Sequence, residues 1–106
     1  MKAEQFDKLF TDLFKTRLDL IQCKRNDYAG EGNVFSNFED TSKQMNMTLD
    51  QVFLFWITIK KQRLANLLLS CKTPKNESLE DTLVDLANYC DLFAIYRKGN
   101  KGEADV

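Results

Sequence analysis

The spacing of apolar positions along the chain predicts three long helices and one short one. Phe6, Leu9, Phe10, Leu13, Leu20 and Ile21 recur at helical intervals and predict a first helix from about Ala3 to about Arg25. Arg17 falls at the centre of that stripe, and Lys24 lies one turn beyond Leu20 on the same line. From Asn26 to Met47 the pattern breaks. "NDYAGEGN" is loop chemistry, with Gly30 and Gly32 supplying backbone freedom. Ser36 and Glu39 have capping-box spacing and Phe35 and Phe38 lie about one turn apart, which predicts a short helix over 36–45. Thr48 as N-cap with Gln51 completing the box starts the third long helix, expected over 49–70. Pro74 in "CKTPKNES" ends it, Asn76 or Ser78 caps the next, and the last helix is expected over 77–98 before "GNKGEADV" frays. The predicted fold class is all-α, a small helical bundle of three long helices and one short helix.

Two patterns do not fit a plain bundle. In "FLFWITIKKQRLANLLL" four consecutive polar residues, Lys60, Lys61, Gln62 and Arg63, interrupt an apolar run. Four such residues cover the whole circumference of a helix, so at least one cation must face inward. Phe53, Trp56, Lys60, Arg63 and Leu67 follow i, i+3, i+7, i+10, i+14 and share one stripe, which puts Lys60 and Arg63 among core residues. The last helix carries the second pattern. Leu79, Leu83, Leu86, Cys90 and Phe93 are its expected core stripe, with Asp81, Asp85 and Asn88 aligned on the other side. Val84, Leu92 and Ile95 flank this acidic line, so that side is expected to be partly covered as well. Asp81 and Asp85 repel each other unless a cation sits between them, a place that Lys60, Arg63 or Mg²⁺ could fill.

Composition narrows the function classes. A chain of 106 residues can bury one core, so a single domain over 1–106 is expected. One Pro and four Gly leave little turn material, and eight Phe with one Trp indicate a dense core. A net charge of −1 supplies no general field for duplex nucleic acid. The longest apolar run, Val52 to Ile57, is far short of a membrane span, and the charged start "MKAEQFDK" lacks a signal-peptide core. Cys23, Cys71 and Cys90 are odd in number and scattered, which reads as reduced thiols in a cytoplasmic protein, packed as small core side chains. Histidine is absent, so Ser-His and Cys-His nucleophile pairs are excluded. Catalysis would have to use carboxylates, lysine, tyrosine or a hard metal ion. The apolar circumference of "VFLFWITI" and the two-sided fourth helix predict a homo-oligomer formed through these two helices.

The candidate chemistry gathers in three places: Lys24, Asp27 and Tyr28; Lys60 and Arg63; and Glu80, Asp81, Asp85, Asn88 and Tyr89. Carboxylates one turn apart can hold a hard cation, while Lys and Arg neutralise phosphate oxygens. Interhelical ion pairing, such as Arg63 to Asp85, explains the same residues without a ligand, and spacing leaves both readings open. Asn33 and Asn37 could hydrogen-bond a base or sugar, with Tyr28 or Phe35 stacking on it. Capping and core packing account for Ser36, Glu39, Phe35 and Phe38.

"KRNDYAGEGNVFSNFED", "KKQRL" and "ESLEDTLVDLANYCDLF" together resemble the nucleotide modification associated domain found largely in bacteriophage genomes, a relative of the all-α nucleotide pyrophosphatases of MazG type. The resemblance runs from about Phe6 to Arg97. Lys24, Asp27 and Tyr28 match K-x-x-D-Y, Lys60 and Arg63 match K-x-x-R, and Asp81, Asp85, Asn88 and Tyr89 match D-x-x-x-D-x-x-N-Y. It implies an all-α bundle, oligomeric, that acts on or binds nucleotides in the metabolism of modified phage DNA. The all-α pyrophosphatases generally supply a second acidic cluster, E-x-x-E, where this first helix has only Asp7, Asp12 and Asp19 around its circumference.

Two function classes follow. In the first, a phage nucleotide-binding protein hydrolyses a nucleoside triphosphate to release pyrophosphate. Mg²⁺ is held by Asp81 and Asp85 with Glu80 and Asp27, and the phosphates by Lys24, Lys60 and Arg63. In the second, a non-enzymatic phage protein sequesters a nucleotide signal or blocks a host defence protein in the host cytoplasm.

Overall fold

The structure, a computed structural model, describes residues 1–29, 32–70 and 78–99, with the side chains of 26–29 left aside. Four helices account for the regular structure among the described residues, with no strand: α1 (Ala3–Ala29), α2 (Ser36–Met45), α3 (Leu49–Leu69) and α4 (Leu79–Gly99). The expected all-α class, with three long helices and one short one, is the class observed. No helix among the described residues is long and apolar enough to cross a membrane.

Helix boundaries follow the local chemistry closely. Thr48 accepts the Gln51 N–H through its hydroxyl, and the Gln51 side chain accepts the Thr48 N–H in return, so the expected capping box starts α3. Ser78 caps α4, its hydroxyl accepting the Asp81 N–H at 3.0 Å. The start of α2 is built differently from expectation, because Ser36 already lies inside the helix. Asn33 organises the approach instead: its side-chain oxygen accepts the Phe35 N–H at 2.9 Å and its carbonyl accepts the Ser36 N–H at 3.0 Å. At the other end Asn46 adopts a left-handed φ of 53°. The Met47 N–H then reaches back to the Ser42 carbonyl and the Asn46 N–H to the Lys43 carbonyl, which closes α2 as a Schellman motif. The first helix runs four residues past its expected end, through the backbone of Asn26 to Ala29. Polar residues there lower helix propensity by only tenths of a kcal/mol each, too little to stop a helix before Gly30.

The chain divides into two compact units, Met1–Ser36 and Asn37–Val106. The first is built on α1, none of whose described residues is fully buried. Phe6, Leu9, Phe10 and Leu13, expected to form a core, are exposed, as are Phe14 and Leu18.

The second unit has its core where α3 packs on α4. The contacts pair ascending α3 numbers with descending α4 numbers, Asp50 with Arg97, Phe53 with Phe93, Trp56 with Tyr89 and Lys60 with Asp85, so the helices are antiparallel. Phe53 is fully buried and stacks on three rings: Phe38 of α2 at 4.8 Å, Phe93 at 5.0 Å and, tilted, Tyr96 at 5.8 Å. This aromatic junction joins all three helices of the unit. The α3 stripe is as expected, with Phe53 buried, Trp56, Lys60, Arg63 and Leu67 half-buried, and Lys61 and Gln62 exposed.

The face of α4 is a correction. Leu83 and Cys90, expected in its core stripe, are exposed, while Asn88 and Leu92 are buried and Asp85 half-buried. Relative to expectation α4 is rotated by about 100°, one residue's worth of helix. Phe53 recruits Phe93 and Tyr96, Trp56 recruits Tyr89, and Lys60 recruits Asp85; aligning all of these layers turns Leu83 and Cys90 outward. The expected burial of the cysteines also fails for Cys23, which is exposed, while Cys71 lies outside the described residues.

Candidate functional site

The α3–α4 seam of the second unit changes character along its length. At Phe53 it is aromatic. One turn on, the Trp56 and Tyr89 rings lie parallel, 4° apart in plane and 5.8 Å between centroids, an offset stack. A further turn brings the Lys60 ammonium within 3.1 Å of the Asp85 carboxylate, with side-chain exposures of 18% and 21%. A bond linking α3 to Asp85 thus comes from Lys60, one turn before Arg63. Removing one partner of such a partly desolvated pair costs more than removing one partner of a surface ion pair, because the charge left behind is poorly hydrated. It also answers why the α3 stripe tolerates a cation.

Asn88 stands in this layer, beside Tyr89 in sequence and about one turn from both Asp85 and Leu92. It is 5% exposed, and neither its Nδ2 nor its Oδ1 has a hydrogen-bond partner. A buried amide left in this state loses the desolvation free energy of both a donor and an acceptor, on the order of 1 to 3 kcal/mol for each. Protein interiors satisfy nearly all such groups. An amide that is buried and unmet points to a water or a ligand that completes it.

At the far end of the layer Thr82 is fully buried, and its hydroxyl donates to the Ser78 carbonyl at 3.1 Å. Arg63 is half-buried on α3, one turn beyond Lys60. Glu80 and Asp81 lie on the solvent side of the first turn of α4. Among the described residues no three carboxylate or thiol side chains come together as a metal-holding group. Asp85 is paired with Lys60, and Glu80 and Asp81 are exposed.

The remaining candidates are placed separately. Lys24 is half-buried on α1, and the backbone of Asp27 and Tyr28 continues that helix. Asn33 accepts the Phe35 N–H, and the exposed Asn37 lies in the first turn of α2, its carbonyl accepting the Thr41 hydroxyl. The second unit brings together Lys60, Asp85, Asn88 and Tyr89, with Arg63 and Asp81 one turn away on either helix. Phe38 is the core residue expected.

Sequence reasoning missed Trp56 with Tyr89 as a stack and Thr82 as a core position. The signal was present. Thr82, Asp85, Tyr89, Leu92 and Tyr96 repeat i, i+3, i+7, i+10, i+14, the spacing that marks the α3 stripe. Two polar members hid it behind the all-apolar alternative that starts at Leu79.

Compared with known protein families, with characterised proteins and with solved structures, the chain matches none.

Proposed function

We propose that this is a nucleotide-binding helical protein that engages its ligand on the α3–α4 layer of Trp56, Lys60, Asp85, Asn88 and Tyr89. The observation that carries the reading is the Asn88 amide, buried without a hydrogen-bond partner on the helix that also carries Asp85 and Tyr89. A nucleotide fits such a layer. Its base or sugar offers donor and acceptor atoms for the Asn88 amide, its base a face for aromatic rings, and its phosphates further negative charge beside Arg63 and Lys60, the latter already paired with Asp85. The resemblance to the phage nucleotide modification associated domain supports the same ligand class; its motif also includes Lys24, Asp27 and Tyr28, and Asn33 and Asn37 are the loop's own hydrogen-bonding candidates for a nucleotide. On that basis the protein works in the host cytoplasm on nucleotides of modified phage DNA, and release of pyrophosphate from a nucleoside triphosphate is the reaction to test.

Glu80, Asp81 and Asp85 are the proposed ligands of Mg²⁺. The ion's proposed place is with the nucleotide's phosphates. The Lys60–Asp85 pair, which engages one of these carboxylates, favours the second reading, a non-enzymatic protein that sequesters a nucleotide or blocks a host protein. Calorimetry against nucleoside triphosphates with and without Mg²⁺, followed by chromatography of the mixture, separates the readings. Conversion to monophosphate and pyrophosphate supports the enzyme. Binding of unchanged nucleotide supports sequestration. Absence of binding in both conditions removes the nucleotide reading and leaves a protein partner.

A further inference from the structure

The chemistry around Asn88 restricts which part of a ligand can complete it. Its Nδ2 is a donor and its Oδ1 an acceptor, the side chain is 5% exposed, and both atoms lack a hydrogen-bond partner. Completing the amide therefore takes an acceptor and a donor side by side. On α4 its neighbours one turn away are Val84 and Asp85 before it and Asp91 and Leu92 after it, all within about 60° of it around the helix. A carboxylate only accepts hydrogen bonds, so neither Asp85 nor Asp91 supplies the donor that Oδ1 needs. The two carboxylates also disfavour a phosphate at this amide, and an ionised phosphate, with acceptor oxygens alone, leaves Oδ1 unmet. Val84 is half-buried and Leu92 is 4% exposed, so the same side of the helix adds apolar surface for an uncharged group.

We propose that Asn88 reads the base of the nucleotide, through two hydrogen bonds between its carboxamide and a base edge that presents an N–H beside a ring nitrogen or a carbonyl oxygen. The inference rests on the nucleotide reading above and assigns which part of the ligand α4 recognises; the phosphates are left to Lys60 and Arg63 of α3. A base is uncharged and flat, and it holds its donor and acceptor at adjacent positions in one plane, as a carboxamide does. Sugar hydroxyls carry both functions but rotate, so fixing a pair of them against the amide costs conformational entropy. Each common base has at least one such edge. Asn88 therefore separates ligands with a base from those with phosphates alone, and a base with a free N–H from the same base with that nitrogen methylated. A site built to hydrogen-bond an N–H rejects the analogue that lacks it, because the buried amide is then left unpaired.

Calorimetry of the full chain against the four common ribonucleoside triphosphates tests the assignment, followed by the tightest of them and its analogue methylated at every N–H of the base. Wild type should bind the unmodified triphosphate at least about tenfold more tightly than the methylated one. Asn88→Leu should lose at least about tenfold for the unmodified triphosphate and should bind the two forms alike, so that the two losses do not add. Circular dichroism establishes that the variant keeps its helices, and Asn88→Ala carries the same cycle if leucine does not fit. Triphosphates bound with no response to methylation, an affinity unchanged in the Asn88 variants, or a methylation loss equal in wild type and variant overturns the base assignment while leaving nucleotide binding in place. The second of these outcomes makes water the group that completes the amide. No binding of any triphosphate overturns the nucleotide reading and this inference with it.

Discussion

A polar side chain that gives up water and receives no hydrogen bond is a local loss of stability, and evolution of a core normally removes it. Asn88 is such a side chain, so replacing it separates its cost from its use. Asn88→Leu keeps the approximate volume and removes both unmet groups. The expected outcome is a free protein more stable by about 1 to 3 kcal/mol in urea denaturation, together with loss of nucleotide affinity in calorimetry. Stability gained with binding unchanged would make Asn88 a mere packing defect. Lys60 and Asp85 behave in the opposite sense. Lys60→Met leaves a half-buried carboxylate without this ammonium, and destabilisation of about 1 to 3 kcal/mol is expected, below the 3 to 5 of a fully buried pair because both side chains retain some water. Lys60→Met with Asp85→Leu should recover most of it, which thermal melts of the three variants would show. The inward turn of Lys60 was legible from spacing. Its pairing with Asp85 was not, since choosing between Lys60 and Arg63 requires the rotation of α4.

At the scale of the helix, ends were more legible than faces. A cap is a local event, decided by two or three side chains bonding nearby backbone, and Thr48 with Gln51 shows it. Thr48→Ala should cost about 1 kcal/mol, measured by chemical denaturation. Asn46 went unread because a left-handed residue is common to many asparagines in loops, and only the pair of bonds from Asn46 and Met47 identifies the motif. Asn46→Gly should be neutral or slightly stabilising, whereas Asn46→Val, with a branched Cβ at positive φ, should cost about 1 kcal/mol or more in the same assay. Faces are non-local. Leu83 and Cys90 have the composition of a core stripe, yet the aromatic rings arriving from Phe53 and Trp56 decide which side of α4 goes in. The exposed stripe of α1 has the same origin: amphipathic periodicity says that a face wants burial, without saying against what.

At the scale of the whole chain, the division into Met1–Ser36 and Asn37–Val106 makes ligand linkage a sharper test than affinity alone. A nucleotide that binds the folded state, and not the unfolded one, stabilises what it binds by about 2.7 kcal/mol when its free concentration is 100 times the dissociation constant. If the ligand is held by the α3–α4 layer, that gain belongs to the cooperative unfolding of the second unit. The single tryptophan, Trp56, lies in that unit and in that layer, stacked on Tyr89, so its fluorescence follows the relevant transition. Far-ultraviolet dichroism follows all four helices together, α1 included. Saturating nucleotide should raise the midpoint of the tryptophan transition by about 10 °C or more, the shift that such a stabilisation gives in a domain of this size. Protein concentration should be held constant across the series, because any self-association would also stabilise by mass action. In Asn88→Leu the free protein should melt higher and the nucleotide-dependent increment should vanish. An increment that persists in Asn88→Leu, or one confined to the dichroism of α1 with no change at Trp56, would place the ligand away from the α3–α4 layer.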